Sequence, residues 1–263
     1  MIRGLRRCWE ANLDDSLDET TEIKEMRELR KKLRMVRPYP SGMLEIPRPI
    51  RGTAFFPWGS GLWGGFQCDR SLTSRRRIMV LGHDFDSEAA YLDSYERGDE
   101  THGPTWRNLR LLFEETGIAI HQCFFTNFFM GMRQGSQSTG RSPASRDEGF
   151  IDRCGRFFVE QLNVVRPKLL LTLGTTVPRM IASRSESLAD WASVRKLADL
   201  DRLGPVRFGV GFGGYRGRVC VAALTHPSLR GPNVRHRRYR GKTGAEAESA
   251  MLRHAAKQSV ISS

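Results

Sequence analysis

Residues 77–87 read RIMVLGHDFDS. Ile78, Met79, Val80 and Leu81 form a short apolar run, branched enough for a strand buried on both faces, as parallel strands are. Gly82 then lets the chain turn tightly where an open parallel sheet presents its ligand crevice. The side chains released there are His83, Asp84, Phe85 and Asp86, so this strand end is a candidate site.

A second stretch answers the first. Residues 219–224, VCVAAL, form another apolar run, and Thr225, His226, Pro227, Ser228, Leu229 and Arg230 follow it. As parallel strands of one sheet, the two runs deliver Asp84 and His226 to the same edge. Either residue alone reads as a loop cap or a satisfied polar group beside the core. Paired at two strand ends, with Asn127 at a third, they read as a site.

Between these ends the pattern alternates. Residues 122–127 (QCFFTN) and 168–173 are further strand candidates. Helices are expected over 105–116, with Thr105 as N-cap and Gly117 as stop, and around Phe150, Cys154, Phe157, Phe158 and Leu162. Others are expected over 175–182, 188–200 and 245–257. Residues 87–102 read as acidic and irregular, with Tyr91 and Tyr95 as candidate aromatic lids, and the Gly/Ser-rich residues 131–143 as a long flexible loop. Gly209, Gly211 and Gly214 match a dinucleotide-binding spacing, but no apolar strand precedes them and a strand follows, so a turn is expected over 208–214. The order predicts a three-layer α/β/α domain around a four-stranded, mostly parallel sheet.

At the N-terminus, residues 14–36 read as a helix with Ile23, Met26, Leu29, Leu33 and Val36 near helical spacing. Pro38, Pro40, Pro47 and Pro49 then make a wrapping segment. The chain thus divides into an N-terminal helix and proline-rich segment, 1–50, and one domain, 51–263. Residues 55–66 set Trp58 and Trp63 among glycines, which suits either a base-stacking wall or a packed surface loop.

Lysines and arginines number 42 against 29 acidic residues, a formal net charge of +13, which suits a polyanionic partner such as nucleic acid or an acidic membrane surface. The densest basic cluster, Arg235, His236, Arg237, Arg238, Arg240 and Lys242, directly follows the second candidate loop and is read as contacting phosphates. The 5 cysteines are scattered and odd in number, which points to a reducing compartment. No spacing suggests zinc or an iron–sulfur cluster, so no metal or cofactor is expected. There is neither a signal-peptide core nor an apolar run long enough for a bilayer, and a cytoplasmic protein with no obligate protein partner is expected.

With Gly82-His83-Asp84, Thr126-Asn127, Leu173-Gly174 and His226-Pro227-Ser228 in this order, residues 55–239 resemble the uracil-DNA glycosylase superfamily. That family commonly has Gly-Gln-Asp-Pro-Tyr in its first motif and begins its last with His-Pro-Ser. The resemblance implies that Asp84 orients the attacking water and offsets positive charge on the sugar. His226 stabilises negative charge on the departing base, and Asn127 reads the base edge. Gly82, His83, Phe85 and Asp86 line the base site. The resemblance also implies that Ser228 contacts backbone phosphate and that Leu229 or Arg230 is the wedge in the duplex; Arg235, Arg237 and Arg238 of the basic cluster are expected to contact DNA.

The chemistry fits those residue types. Breaking a base–sugar bond develops a cationic sugar and an anionic base, so a carboxylate and an oriented donor stabilise charge that exists mainly in the transition state. A base inside a duplex is first flipped out, which calls for a basic surface and a wedge. Where many family members carry Pro-Tyr, the tyrosine excluding thymine, this chain has Phe85-Asp86. The opening resembles the Brig type of anti-phage glycosylase, a branch that excises α-glucosylated hydroxymethylcytosine from phage DNA. The resemblance therefore implies a bulky C5-modified pyrimidine as substrate, with ordinary uracil repair as the close alternative. A catalytically silent DNA-binding protein on the same fold, or a nucleotide-dependent transferase lacking a credible phosphate loop, are readings of other classes. No lysine stands out for Schiff-base chemistry, so the expected enzyme is monofunctional and leaves an abasic site.

Overall fold

The computed structural model describes residues 28–29, 31–46, 78–97 and 103–261. The aromatic, glycine-rich residues 55–66 and most of the expected N-terminal helix lie outside these residues. In chain order the elements are β1 (Met43–Leu44), β2 (Ile78–Gly82), α1 (Glu88–Arg97), α2 (Pro104–Thr116), β3 (Cys123–Asn127), β4 (Met132–Arg133), α3 (Glu148–Val165), β5 (Leu169–Leu173), α4 (Thr176–Ala182), α5 (Leu197–Leu203), β6 (Val206–Val210), β7 (Val219–Leu224), α6 (Arg230–Val234), β8 (Arg238–Tyr239), β9 (Lys242–Thr243) and α7 (Gly244–Ile261).

The central sheet runs β3-β2-β5-β7-β6. The four strands expected from sequence are present and mutually parallel, and every residue in them is buried. Alternate side chains of each strand enter opposite layers. Met79, Leu81, Phe124, Leu170, Val221 and Ala223 pack with Phe150, Phe157 and Phe158 of α3, Ile181 of α4 and Trp191. Val80, Phe125, Leu169, Leu171, Ala222 and Leu224 pack with Trp106, Leu109 and Phe113 of α2 and Met251 and Leu252 of α7. The result is the expected three-layer α/β/α arrangement.

Among the described residues five strands, not four, make the sheet. β6 pairs antiparallel with β7 and takes in Phe208, Gly209 and Val210, the first part of the segment read as a turn, while Gly213 and Gly214 do form a turn. β6 is an edge strand, exposed at Phe208 and Gly209, with an irregular register between Arg207 and Val210, so it has no continuous apolar run to signal it. Residues 88–97, read as irregular, form α1; no residue of it is buried, which removes the periodic apolar signal, and an Asp93–Arg97 pair at i,i+4 supports it. Tyr91 and Tyr95 stack on each other along this helix. The N-cap of α2 is Gly103, with Pro104 in its first turn, and Thr105 lies inside; Gly117 ends the helix at φ 73° as expected. The single helix expected over 188–200 is a 3-10 segment, Glu186–Ser193, followed by α5, because Val194 and Lys196 are extended and the Asp199 carboxylate accepts from the Arg195 and Lys196 amides.

The described part of the N-terminal segment belongs to the core. Leu29 and Val36 are fully buried, Arg153 of α3 donates to the carbonyls of Val36 and Pro38, and β1 pairs with β4. That pairing lies within the stretch expected as a flexible loop. It bears directly on the site, because Arg133 is in β4.

Candidate active site

The register of the parallel strands brings the predicted residues to one edge. Gly82 sits opposite Asn127, and Leu173 opposite Leu224, so the segments beginning His83, Phe128, Gly174 and Thr225 all leave the sheet at its carboxyl end. Backbone bonds lace the first two: the Phe128 amide donates to Gly82 and the Phe129 amide to His83, both at 2.9 Å. Gly174, just after β5, adopts φ 78°, a left-handed conformation that favours glycine, and lies against His226, where a Cβ would sit 3.4 Å from the His226 Cβ.

Asp84 is held by a residue that sequence reasoning missed. Arg133 Nε donates to Asp84 Oδ2 at 2.9 Å, and the His83 ring places Nδ1 3.5 Å from the same oxygen. Arg133 is buried and also donates to the Thr139 carbonyl at 2.7 Å. Its only sequence signal is an arginine six residues after Asn127 in a polar stretch, and nothing local says that β1 will pair with it and bury it. The next residues turn sharply. Asp86 adopts φ 62°, its carbonyl accepts from the Arg133 amide at 2.8 Å, and Phe85 packs partly against the core.

His226 is fixed from three sides. Ser228 Oγ lies 2.8 Å from its Nδ1, Asn108 of α2 donates to the Pro227 carbonyl at 2.7 Å, and the Thr225 amide donates to Glu248 Oε1 at 2.7 Å. Burial pushes the His226 imidazole below the ordinary histidine range; nearby His83 pushes the same way, and Asp84 partly opposes it. Burial also lowers His83, against the pull of Asp84. Both rings are therefore neutral at neutral pH. Asp86 is raised, by partial desolvation of its carboxyl first and then by repulsion from Asp84, although the residue as a whole is exposed. Asp84, His83 and His226 thus share one electrostatic neighbourhood, with Asn127 buried beside Gly82.

The model of the Uracil DNA glycosylase superfamily matches residues 76–247, from the start of β2 into α7. The chain belongs to the uracil-DNA glycosylase superfamily. Members act on DNA, so the superfamily assignment makes this chain a DNA glycosylase in type and DNA its partner class. No curated protein matches the chain. Among the described residues there is no cluster of histidine, cysteine, aspartate and glutamate able to hold a metal ion, and no helix long and apolar enough to cross a membrane.

The superfamily comparison does not distribute the basic residues, but their environments do. Arg237 is 1% exposed; it pairs with Asp201 at 3.0 Å and donates to the Ala223 carbonyl, so it is a core cation and leaves the set of phosphate contacts. Arg235 and Arg238 are exposed. Arg230 is turned inward onto Glu248 at 2.8 Å, whereas Leu229 is 55% exposed. A cavity of about 400 Å³ elsewhere, between Asp201, Pro205 and the β8–β9 hairpin, shares none of the lining of the Asp84–His226 site.

Proposed function

We propose that this chain is a monofunctional DNA glycosylase that flips a modified pyrimidine from DNA and hydrolyses its N-glycosidic bond, leaving an abasic site. The observation that carries the reading is the convergence of Asp84, Asn127 and His226 at one carboxyl edge of the sheet, the aspartate already oriented by Arg133. As the bond between base and C1′ breaks, positive charge grows on the sugar and negative charge on the base. Asp84 faces the first. With Arg133 and His83 both on Oδ2, its Oδ1 serves the water that adds to C1′ and takes the proton the water gives up.

His226 faces the second charge. A neutral imidazole whose Nδ1 accepts the Ser228 hydroxyl carries its proton on Nε2, an oriented donor for the departing base. Asn127 reads the base edge, and Gly82, His83, Phe85 and Asp86 form the rest of the base site. Leu229 fills the space left in the duplex, with Ser228, Arg235 and Arg238 toward phosphates.

The substrate we propose is a bulky C5-modified cytosine, such as α-glucosyl-hydroxymethylcytosine in phage DNA, removed as antiviral defence in the cytoplasm. Its support is Phe85-Asp86 in place of Pro-Tyr: Phe85 packs toward the core and Asp86, exposed on a left-handed turn, supplies carboxylate oxygens to sugar hydroxyls. The test incubates the protein with uracil-containing DNA, unmodified DNA and glucosyl-hydroxymethylcytosine phage DNA, scoring abasic sites and identifying the released base by mass. Release from phage DNA alone is expected. Release of uracil alone makes this a repair enzyme and overturns the role of Asp86.

A further inference from the structure

We infer that Glu248 is a positioning residue for the reaction: its one carboxylate grips both ends of the 225–230 turn, so that His226 faces the base while Leu229 faces the duplex. The inference rests on the roles proposed above for His226 and Leu229. Glu248 lies one residue beyond the segment matched by the superfamily, on the first turns of α7, and is 0% exposed. Its Oε1 accepts the Thr225 amide at 2.7 Å, immediately before His226; its Oε2 accepts Arg230 Nε at 2.8 Å, immediately after Leu229.

The physical reason for such a group is the length of the turn. Between Leu224, the last residue of β7, and α6 the chain must aim a histidine inward and a leucine outward within four residues, with only a short 3-10 segment, Pro227–Leu229, to define it. Two charge-assisted bonds to one buried carboxylate fix the separation of its ends, which no single bond does. They also keep Arg230 from the surface, leaving Leu229 as the exposed tip. Asn108 restrains the middle at the Pro227 carbonyl, and Arg237 brings a second buried cation near the same carboxylate.

The test compares the full chain with Glu248→Gln, Arg230→Gln and the double variant. Nuclear magnetic resonance follows the titration of His226, which is faced by His83 and Asp84. The wild-type ring is expected to titrate below the ordinary histidine value, and in each variant to move back toward it as the turn admits water. A wild-type titration in folded Glu248→Gln overturns the clamp. On whichever DNA the wild type processes, each variant is expected to lose about 100-fold in kcat with DNA affinity retained, the loss expected for displacing a catalytic group by about 1 Å. The double variant should lose no more than either single one. Additive losses, or an Arg230→Gln defect carried by DNA affinity, mean that Arg230 meets DNA directly and overturn the clamp. Should Glu248→Gln not fold, Arg230→Gln alone decides by the same two readouts. A wild type without turnover on any DNA defeats the proposed function, and the His226 titration then decides the clamp by itself.

Discussion

Replacing Arg133 by methionine is expected to destabilise the protein by about 3–5 kcal/mol, the usual loss when one partner of a buried ion pair is removed. The pair is well inside: the Arg133 and Asp84 side chains are 7% and 9% exposed, and the Nε to Oδ2 distance is 2.9 Å. At an effective dielectric constant of about 20, two unit charges at that separation attract by roughly 6 kcal/mol, most of which offsets the loss of hydration of both groups. Methionine fills much of the arginine stem but strands the carboxylate, and it also frees the Thr139 carbonyl that Arg133 now satisfies. Asp84→Asn in the same chain removes the stranded charge. The double variant Asp84→Asn/Arg133→Met is therefore expected to recover at least 1 kcal/mol of the roughly 3–5 kcal/mol lost, although the single Asp84→Asn change gains nothing by itself. Urea unfolding of the four proteins at pH 7.5 measures this. An Arg133→Met loss below about 1 kcal/mol, or a double variant no better than the single one, refutes the view that Arg133 exists to hold an ionised Asp84.

The two buried histidines set a pH dependence. Burial lowers both His83 and His226 in the folded state, so the unfolded chain binds more protons and the stability they contribute is present above the ordinary histidine value, about 6.5, and lost as pH falls from there through their folded values. The urea midpoint should fall from pH 7.5 to 5.5, and by less in a His83→Asn/His226→Asn variant; an equal fall in both proteins assigns the slope to other groups. Leu229→Ala, at an exposed tip, should change stability by less than about 0.5 kcal/mol yet slow base release from duplex DNA while sparing single-stranded DNA; equal slowing on both strands' forms removes the wedge role. Arg237→Met should destabilise the fold with no change in the salt dependence of DNA binding, whereas Arg235→Ala and Arg238→Ala should each lower the slope of log affinity against log salt by about 1 without unfolding the protein. Identical salt slopes for the three variants contradict the division drawn from their burial.

The sequence alone determined the parts that repeat a local pattern. Ile78, Met79, Val80 and Leu81, like Val219 to Leu224, are buried on both faces and so announce themselves as unbroken apolar runs; each ends at the residue where chemistry begins, and Asp84 and His226 could be read off those ends. The long helix α3 was legible because its phenylalanines recur at helical spacing over a wide buried face. What stayed hidden lacked such repetition. Edge strand β6 and the solvated helix α1 bury too little to leave a period, and a position such as Arg237 looks like any other member of a basic run until Asp201 is packed against it.

The site divides the same way. Strand order, which puts Asn127 beside Asp84 and His226 two strands away, follows from packing between segments and from no residue's neighbours in sequence. Arg133 reaches Asp84 because β1 pairs with β4, and Glu248 reaches both ends of the His226 turn because α7 folds back across β7. Burial is the reason these contacts had to wait for the tertiary structure: the same arginine or glutamate is an ordinary solvated charge on an open chain, and becomes a precise restraint only where the surrounding core excludes water and leaves it a fixed set of partners.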